Sequence, residues 1–158
     1  MNAKILTLDA LSAKAKEFRA SGRKLVATNG CFDLLHGGHV RYLRAARQLG
    51  DALVVGLNGD ASVRALKGES RPLNREADRA EVLAALECVD FVAVFPEVRA
   101  TEFLKRAQPA VYVKGGDYKP QTLDPEERAA LESIGTRIEI IPFETGYSTS
   151  ALIARLSC

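Results

Sequence analysis

The chain has only two histidines, and they lie three residues apart in the segment His36-Gly37-Gly38-His39. At the start of a helix, residues with this spacing fall on one side, so both imidazoles can donate hydrogen bonds to a single phosphate group. Gly38 allows the backbone to approach such an anion closely, and the free N–H groups of the first helical turn face it. The residue types and their spacing therefore predict phosphate chemistry at His36 and His39.

Two histidines near a helix start could instead form a helix cap, packed polar residues or a metal pair. A zinc site needs a third ligand, and the sequence has no HExxH motif, so we predict no metal ligand. For Cys31, a catalytic thiol is the alternative to a small residue that lines the backbone, and we favour the second interpretation. The cysteines at 31, 88 and 158 form no CxxC pair, which is typical of a protein of the reducing cytoplasm.

Short β-rich apolar runs alternate with helical patterns, which is typical of parallel strands joined by helical crossovers. We predict an α/β fold, a Rossmann-like open parallel five-stranded sheet with helices on both faces, in a single domain over 1–158. Residues 1–23 form a helical extension, and residues 24–156 form the core. Ligands of such a sheet bind at the carboxyl ends of the strands, where the histidine segment lies. The predicted strands are Lys24–Thr28, Ala52–Leu57, Phe91–Phe95, Ala110–Val113 and Arg137–Ile141.

Length and charge exclude several classes of protein. The 158 residues fit one domain, because a domain takes roughly 100–200 residues. The formal net charge of +2, from 22 Lys+Arg and 20 Asp+Glu, is too balanced for a broad surface that grips nucleic acid. No apolar run approaches the roughly 18 residues of a membrane span, and no signal peptide is evident, so we expect neither membrane insertion nor export.

Three further segments lie where strands end, near the histidines. The glycine- and proline-containing loop Leu66–Asn74 follows the second strand, and we favour anion contacts for Lys67, Arg71 and Arg79, whereas Arg64 and Arg75 fit a solvated surface equally well. The segment 113–120 leaves the fourth strand with paired glycines, a plain turn being the alternative. In 145–150, hydroxyls precede an apolar run, so they lie at a helix N-terminus that suits triphosphate oxygens or a simple Ser/Thr cap.

These motifs resemble a known family. His36-Gly37-Gly38-His39 is similar to the HxGH signature of the nucleotidyltransferase superfamily, and neither a GxGxxG fingerprint nor a P-loop is present. NGCFDLLHxGH, LKGxSRPxN, VKGGDYKP and the terminal G-x-S-T together resemble the heptose 1-phosphate adenylyltransferases, from about Lys24 to Leu156. One departure from that family's pattern occurs, because Ser148-Thr149-Ser150 stands in place of Ser-Thr-Thr. Phe143-Glu144 stands where the related CTP-dependent enzymes carry Arg-Thr, which weakens a CTP-dependent interpretation.

The resemblance implies transfer of AMP from ATP to a sugar 1-phosphate, with release of pyrophosphate by direct in-line attack. Mg²⁺ would arrive with ATP and be held mainly by the triphosphate. Catalysis is assigned to His36, His39 and Lys67, and substrate binding to Asp33, Arg71 and Arg79. The nucleotide would be bound by Asn29, Gly30, Cys31, Phe32, Gly38, Lys114, Gly116, Asp117, Ser148, Thr149 and Ser150.

Two alternative functions are retained. The first is a CTP-dependent cytidylyltransferase acting on glycerol 3-phosphate or a similar small phosphate or phosphonate. The second is a non-catalytic nucleotide sensor, which would need the anion site but not two histidines and a cationic loop. We also expect a cytoplasmic homodimer that binds small molecules and neither nucleic acid nor membrane. A separate sugar kinase would make the phosphorylated substrate.

Overall fold

The computed structural model describes residues 2–116, 119–142 and 144–157, with Pro120 described by its backbone alone. The strands are β1 Ile5–Leu6, β2 Leu25–Gly30, β3 Ala52–Asn58, β4 Phe91–Phe95, β5 Val111–Gly115 and β6 Arg137–Ile141. The helices are α1 Leu8–Ala20, α2 Gly37–Arg47, α3 Asp60–Lys67, α4 Glu76–Ala85, α5 Thr101–Ala107, α6 Pro125–Ile134 and α7 Thr149–Leu156, with a short 3₁₀ turn at Pro120–Thr122. Among these helices, none combines the length and apolar character needed to cross a membrane.

The strands form one parallel sheet in the order β1-β4-β3-β2-β5-β6. This arrangement confirms the predicted Rossmann-like open sheet with helices on both faces. The predicted number of five strands is wrong by one, because β1 pairs with β4 through Ile5–Val92 and Leu6–Ala93. A strand of two residues is too short to produce a pattern in the sequence.

Both faces of the sheet are covered by helices, which explains why the central strands β2 and β3 are mostly apolar and buried. Every residue of β3 is buried. One core layer packs helices α1, α5 and α6 on the sheet, with Leu11, Phe103 and Leu131 fully buried. The other layer packs α2 and α4 through Leu43 and Leu83. The N-terminal segment therefore contributes a strand and a packed helix to the same sheet and core.

Strand β2 lies where the order of the sheet reverses, because the next strand along the chain, β3, is on one side and β5 is on the other. Pairing of β2 with β3 extends over six positions, whereas pairing with β5 is confined to Val26–Val111 and Ala27–Tyr112. Tyr42 of α2 bridges the two strands beyond that point. Its hydroxyl lies 2.7 Å from Thr28 Oγ1 and donates to the Val113 carbonyl at 3.1 Å. A crevice at this reversal is the usual ligand site of such folds.

Candidate functional site

A cavity of about 1060 Å³ opens at the carboxyl ends of the strands, between the starts of α2 and α7. Of the predicted site residues that the structure describes, all but two line it. Gly116 is not among the lining residues and donates its amide N–H to the Ile141 carbonyl. Arg79 is buried outside the lining, and Asp117 lies outside the described residues. The predicted residues that line the cavity are Asn29, Gly30, Cys31, Phe32, Asp33, His36, Gly38, His39, Lys67, Arg71, Lys114, Ser148, Thr149 and Ser150.

The two histidines lie at the start of α2 with their rings stacked, 3.9 Å between centroids. The His36 amide N–H donates to His39 Nδ1 at 3.3 Å, so the proton of the neutral His39 ring is carried by Nε2. Burial lowers the pKa of both rings, and the neighbouring His36 adds to this effect at His39, whose pKa falls to about 4. Both imidazoles are therefore neutral hydrogen-bond donors at neutral pH in the free protein.

The first turn of α2 is suited to an anion. Its leading N–H groups have no intrahelical acceptor, and the turn contains no acidic residue. Gly38 is required there, because a Cβ at this position would lie 2.7 Å from Tyr147 Cβ and 3.0 Å from His36 Nδ1. Within the described part of the chain, His36 Nδ1 is a buried atom without a hydrogen-bond partner. The helix start thus combines free backbone donors with two imidazoles.

Phe32 holds His39 from the side of β2. Its ring lies edge-on to the His39 ring at 5.4 Å, and its backbone has a φ of +43°, in the left-handed region. A Cβ on Gly30 would come within 2.9 Å of the same ring, so Gly30 provides the space in which Phe32 turns inward. Phe32 therefore positions a catalytic candidate in addition to lining the cavity.

Asp33 connects the segment between β2 and α2 to the loop before α4 through hydrogen bonds. Its buried carboxylate accepts from Arg71 Nε at 2.7 Å and from the amides of Leu73 and Asn74. Burial alone would raise the pKa of Asp33, but these backbone and guanidinium donors hold it below its usual value. Asp33 and Arg71 line the cavity as an ion pair in which each charge offsets the other. The bonds to Asp33 hold the loop before α4 in place.

Arg79 does not occupy the position predicted for a substrate contact. Its side chain has no exposed surface, and its guanidinium donates to the carbonyls of Cys31, Asn58 and Asn74 and to the Asp60 carboxylate. The reason is that α4 turns this residue inward beneath the ends of β2 and β3. We therefore assign Arg79 to positioning the cavity wall rather than to binding substrate.

Two lysines bring positive charge to the cavity in different ways. Lys67, the last residue of α3, is exposed and makes no ion pair with the carboxylates that the structure describes. Lys114, at the end of β5, is half-buried with its Nζ 5.7 Å from the Tyr112 ring centroid. Burial lowers the pKa of Lys114, whereas the Glu127 carboxylate opposes that effect.

Cys31 also lines the cavity. Burial raises the pKa of the Cys31 thiol, which disfavours a nucleophilic role for it.

The start of α7 is tied to the histidine segment. Ser148 caps the helix by accepting from the Ala151 amide at 3.2 Å, and Thr149 Oγ1 donates to the Leu34 carbonyl at 3.0 Å. Both hydroxyls therefore have a hydrogen-bond partner within the protein, and Ser150 also lines the cavity. The N-terminus of α7 faces the same space as that of α2.

Sequence reasoning missed several lining residues, among them Arg41, Tyr42 and Tyr147. Arg41 and Tyr42 follow the histidine motif on the same helix, so helical spacing from Gly37 and His39 was the available signal. Tyr147 lies inside the terminal hydroxyl motif. The polar residues Asn58, Arg99, Asp124 and Glu127 also line the cavity, and of these Asn58 ends a strand.

Comparison with known proteins gives consistent results. A family model described as cytidylyltransferase-like matches residues 27–155. The bifunctional protein HldE of Geotalea uraniireducens is 54% identical over 98% of this chain, and that of Geobacter metallireducens is 50% identical over the same share. The chain spans 31% of the length of both relatives.

Among solved structures, a lipopolysaccharide core biosynthesis protein from Thermoplasma volcanium superposes with a TM-score of 0.64 at 26% identity, covering 80% of this chain and all of that one. A pantoate-beta-alanine ligase from Francisella tularensis superposes with a TM-score of 0.61 at 14% identity, covering 92% of this chain and 68% of that one. The second likeness concerns the fold alone.

Proposed function

Because the chain belongs to the cytidylyltransferase-like family, we propose that it is an adenylyltransferase that transfers AMP from ATP to a sugar 1-phosphate. The products are an ADP-sugar and pyrophosphate. Heptose 1-phosphate is the proposed sugar, on the strength of the LKGxSRPxN and VKGGDYKP motifs and of the HldE relatives. The protein from Thermoplasma volcanium, described as acting in lipopolysaccharide core biosynthesis, supports the same substrate class.

The observation that carries the proposal is the pair of stacked, neutral histidines at the start of α2, inside the cavity at the strand reversal. Two imidazole donors, free backbone N–H groups and the exposed Lys67 converge where a polyphosphate can lie. A nucleotide sensor would need the helix start alone. The conjunction of all these donors therefore supports a reaction at phosphorus.

In the proposed reaction, a phosphate oxygen of the sugar 1-phosphate attacks the α-phosphorus of ATP in line. The new P–O bond forms as the bond from the α-phosphorus to the α,β-bridging oxygen breaks, and pyrophosphate leaves with that electron pair. The attacking oxygen is already an anion at neutral pH, so no strong general base is needed. The barrier lies in bringing two polyanions together and in stabilising the charge that develops.

The proposed roles follow from that barrier. His36 and His39 donate to the phosphates in the transition state and to the leaving pyrophosphate. Lys67 assists from the end of α3, and Lys114 adds charge from the end of β5. Asp33 and Arg71 fix the loop that forms one wall, so that the acceptor phosphate meets a rigid surface. Phe32 and Gly30 hold His39 in place.

Magnesium is proposed to enter with ATP. Mg²⁺ keeps several waters and takes ligands from substrate phosphates, where it neutralises charge. In residues 2–116, 119–142 and 144–157 no cluster of three or more histidine, cysteine or carboxylate side chains is arranged to hold a metal ion. The imidazole, ammonium and guanidinium groups that line the cavity are hydrogen-bond donors suited to the phosphate oxygens of bound Mg·ATP.

The second candidate is transfer of CMP from CTP to glycerol 3-phosphate or a similar small phosphate or phosphonate. The description of the matching family favours it. The presence of Phe143-Glu144 where related CTP-dependent enzymes carry Arg-Thr favours ATP instead. Nucleotide preference therefore separates the two.

The decisive experiment is a measurement of pyrophosphate release with ATP and with CTP, against a panel of sugar 1-phosphates and glycerol 3-phosphate. We expect release with ATP and heptose 1-phosphate. Release with CTP and glycerol 3-phosphate would establish the second candidate, and nucleotide binding without release in any pairing would favour a sensor. The same protein analysed by light scattering tests the expected homodimer, and a separate sugar kinase is expected to supply the phosphorylated substrate.

A further inference from the structure

Arg41 of α2 is held by two residues of the segment that precedes α7. Its Nη1 lies 3.2 Å from Glu144 Oε2, and its Nη2 donates to the Tyr147 hydroxyl at 3.1 Å. The guanidinium carbon also lies 4.8 Å from the centroid of the Tyr147 ring. Glu144 and Tyr147 together therefore occupy one side of this guanidinium.

This contact lies directly beside the free N–H groups of α2. A Cβ on Gly37 would lie 3.0 Å from Arg41 Nη1, which places the guanidinium against the first residue of the helix. The Tyr147 ring lies 5.9 Å from the ring of His36. Arg41, Glu144 and Tyr147 all line the cavity.

Arg41 differs from the other arginines of the cavity in how it is paired. Arg71 is bound to a carboxylate with no exposed surface, and Arg99 is paired with Asp124, which also caps α6. The Arg41 and Glu144 side chains are 48% and 49% exposed, so water competes for both. Exposed ion pairs of this kind contribute little to stability, whereas a phosphate group offers an arginine two charge-assisted hydrogen bonds.

We propose that Arg41 is a phosphate-binding residue that exchanges Glu144 for the polyphosphate of the bound nucleotide, so that Glu144 competes with the nucleotide. Tyr147 keeps the guanidinium stacked beside α2 during the exchange. The inference rests on the proposed function, because it takes the cavity to bind a nucleoside triphosphate. It adds a guanidinium group to the imidazole, backbone N–H and ammonium donors that the proposed function assigns to the phosphates.

The test is calorimetric titration of the full chain with Mg·ATP, alongside adenosine as a ligand without phosphate. Glu144→Gln removes the competing charge and is expected to tighten Mg·ATP binding about threefold or more, whereas Arg41→Ala is expected to weaken it about tenfold. In the double variant, the effect of Glu144→Gln is expected to vanish, because the competition needs Arg41. Adenosine affinity is expected to stay the same throughout.

The matched control is Glu132→Gln. Glu132 forms an exposed pair with Arg128 on α6, with side chains 62% and 44% exposed, and neither residue lines the cavity. This variant is expected to bind Mg·ATP like the parent. Thermal denaturation of each variant verifies that the fold is retained.

The outcomes separate the two proposals. If the parent chain binds neither Mg·ATP nor Mg·CTP, the proposed function is wrong, and so is the proposed exchange at Arg41. If the parent binds Mg·ATP and Glu144→Gln does not tighten binding, or tightens it equally when Arg41 is alanine, the exchange alone is overturned. Parallel changes in adenosine affinity would also overturn it, because they would indicate a change in the shape of the cavity.

Discussion

The imidazole rings of His36 and His39 stack at 3.9 Å between centroids, with 23° between their planes. Burial lowers the pKa of both rings, and the neighbouring His36 lowers that of His39 further. The free protein therefore presents two neutral rings at neutral pH, and a bound polyphosphate would draw protons toward them.

The first prediction concerns His39. Replacement by alanine is expected to lower the rate of pyrophosphate release by on the order of 10²–10³, because a donor to the developing charge is lost. A continuous assay of pyrophosphate measures the rate, and circular dichroism checks that the fold is intact. A variant within twofold of the parent rate would contradict the role given to this histidine.

The second prediction concerns Lys67. Lys67→Ala is expected to depress turnover more than ATP affinity, because this exposed cation is proposed to act on the charge that develops during transfer. Arg64→Ala is the matched control: Arg64 lies one turn earlier on α3, pairs with Glu69 at 3.8 Å and does not line the cavity. Steady-state kinetics combined with calorimetry separates the two effects. A loss of ATP affinity with unchanged turnover would refute the assignment.

The third prediction concerns Arg79. Arg79→Gln is expected to destabilise the chain by about 3–5 kcal/mol, because the Asp60 carboxylate and three carbonyl groups lose a fully buried partner. Urea denaturation measures the loss. The exposed Arg75, one turn earlier, provides the control, since Arg75→Gln is expected to change stability little. If Arg79→Gln instead has normal stability and a raised KM for the sugar phosphate, the result would support the substrate contact that the sequence predicted for Arg79.

The fourth prediction is a dependence of stability on pH. Burial lowers the pKa of both histidines, that of His39 to about 4, whereas both titrate near 6.5 in the unfolded chain. Between about pH 4 and 6.5 the unfolded chain therefore binds more protons than the folded one. The stability contributed by the neutral histidines is complete above this window and is expected to be lost as the pH falls through it.

Urea denaturation at about pH 7 and about pH 5 checks this expectation. Carboxyl groups ordinarily titrate at lower pH, so the histidines are expected to account for most of the change in stability between these two pH values. The double variant His36→Gln/His39→Gln contains no histidine and is expected to lose less stability than the parent. Equal losses in the two proteins would show that the histidine pKa values are not depressed by folding.

Local patterns in the sequence were sufficient to predict the class of fold and the central residues of the candidate site. Alternating apolar and helical segments predicted the parallel sheet, and the glycine-histidine spacing predicted donors at a helix start. Both signals depend on residues within a few positions of one another. β1 was missed because two residues are too few to form a period. Arg41 was missed because its partner Glu144 lies far away in the chain, in the segment between β6 and α7.

What the sequence by itself determined is the chemistry: two histidines, glycines that admit an anion, and a cationic loop after a strand. The tertiary structure decided which cations are available. Arg79 and Cys31 are 48 positions apart, yet the guanidinium of one donates to the carbonyl of the other, and burial commits that charge to the scaffold. Lys67 and Arg41, which carry the same formal charge, remain at the cavity surface. Charge is a property of composition, but its availability depends on which long-range partners the fold brings within hydrogen-bonding distance.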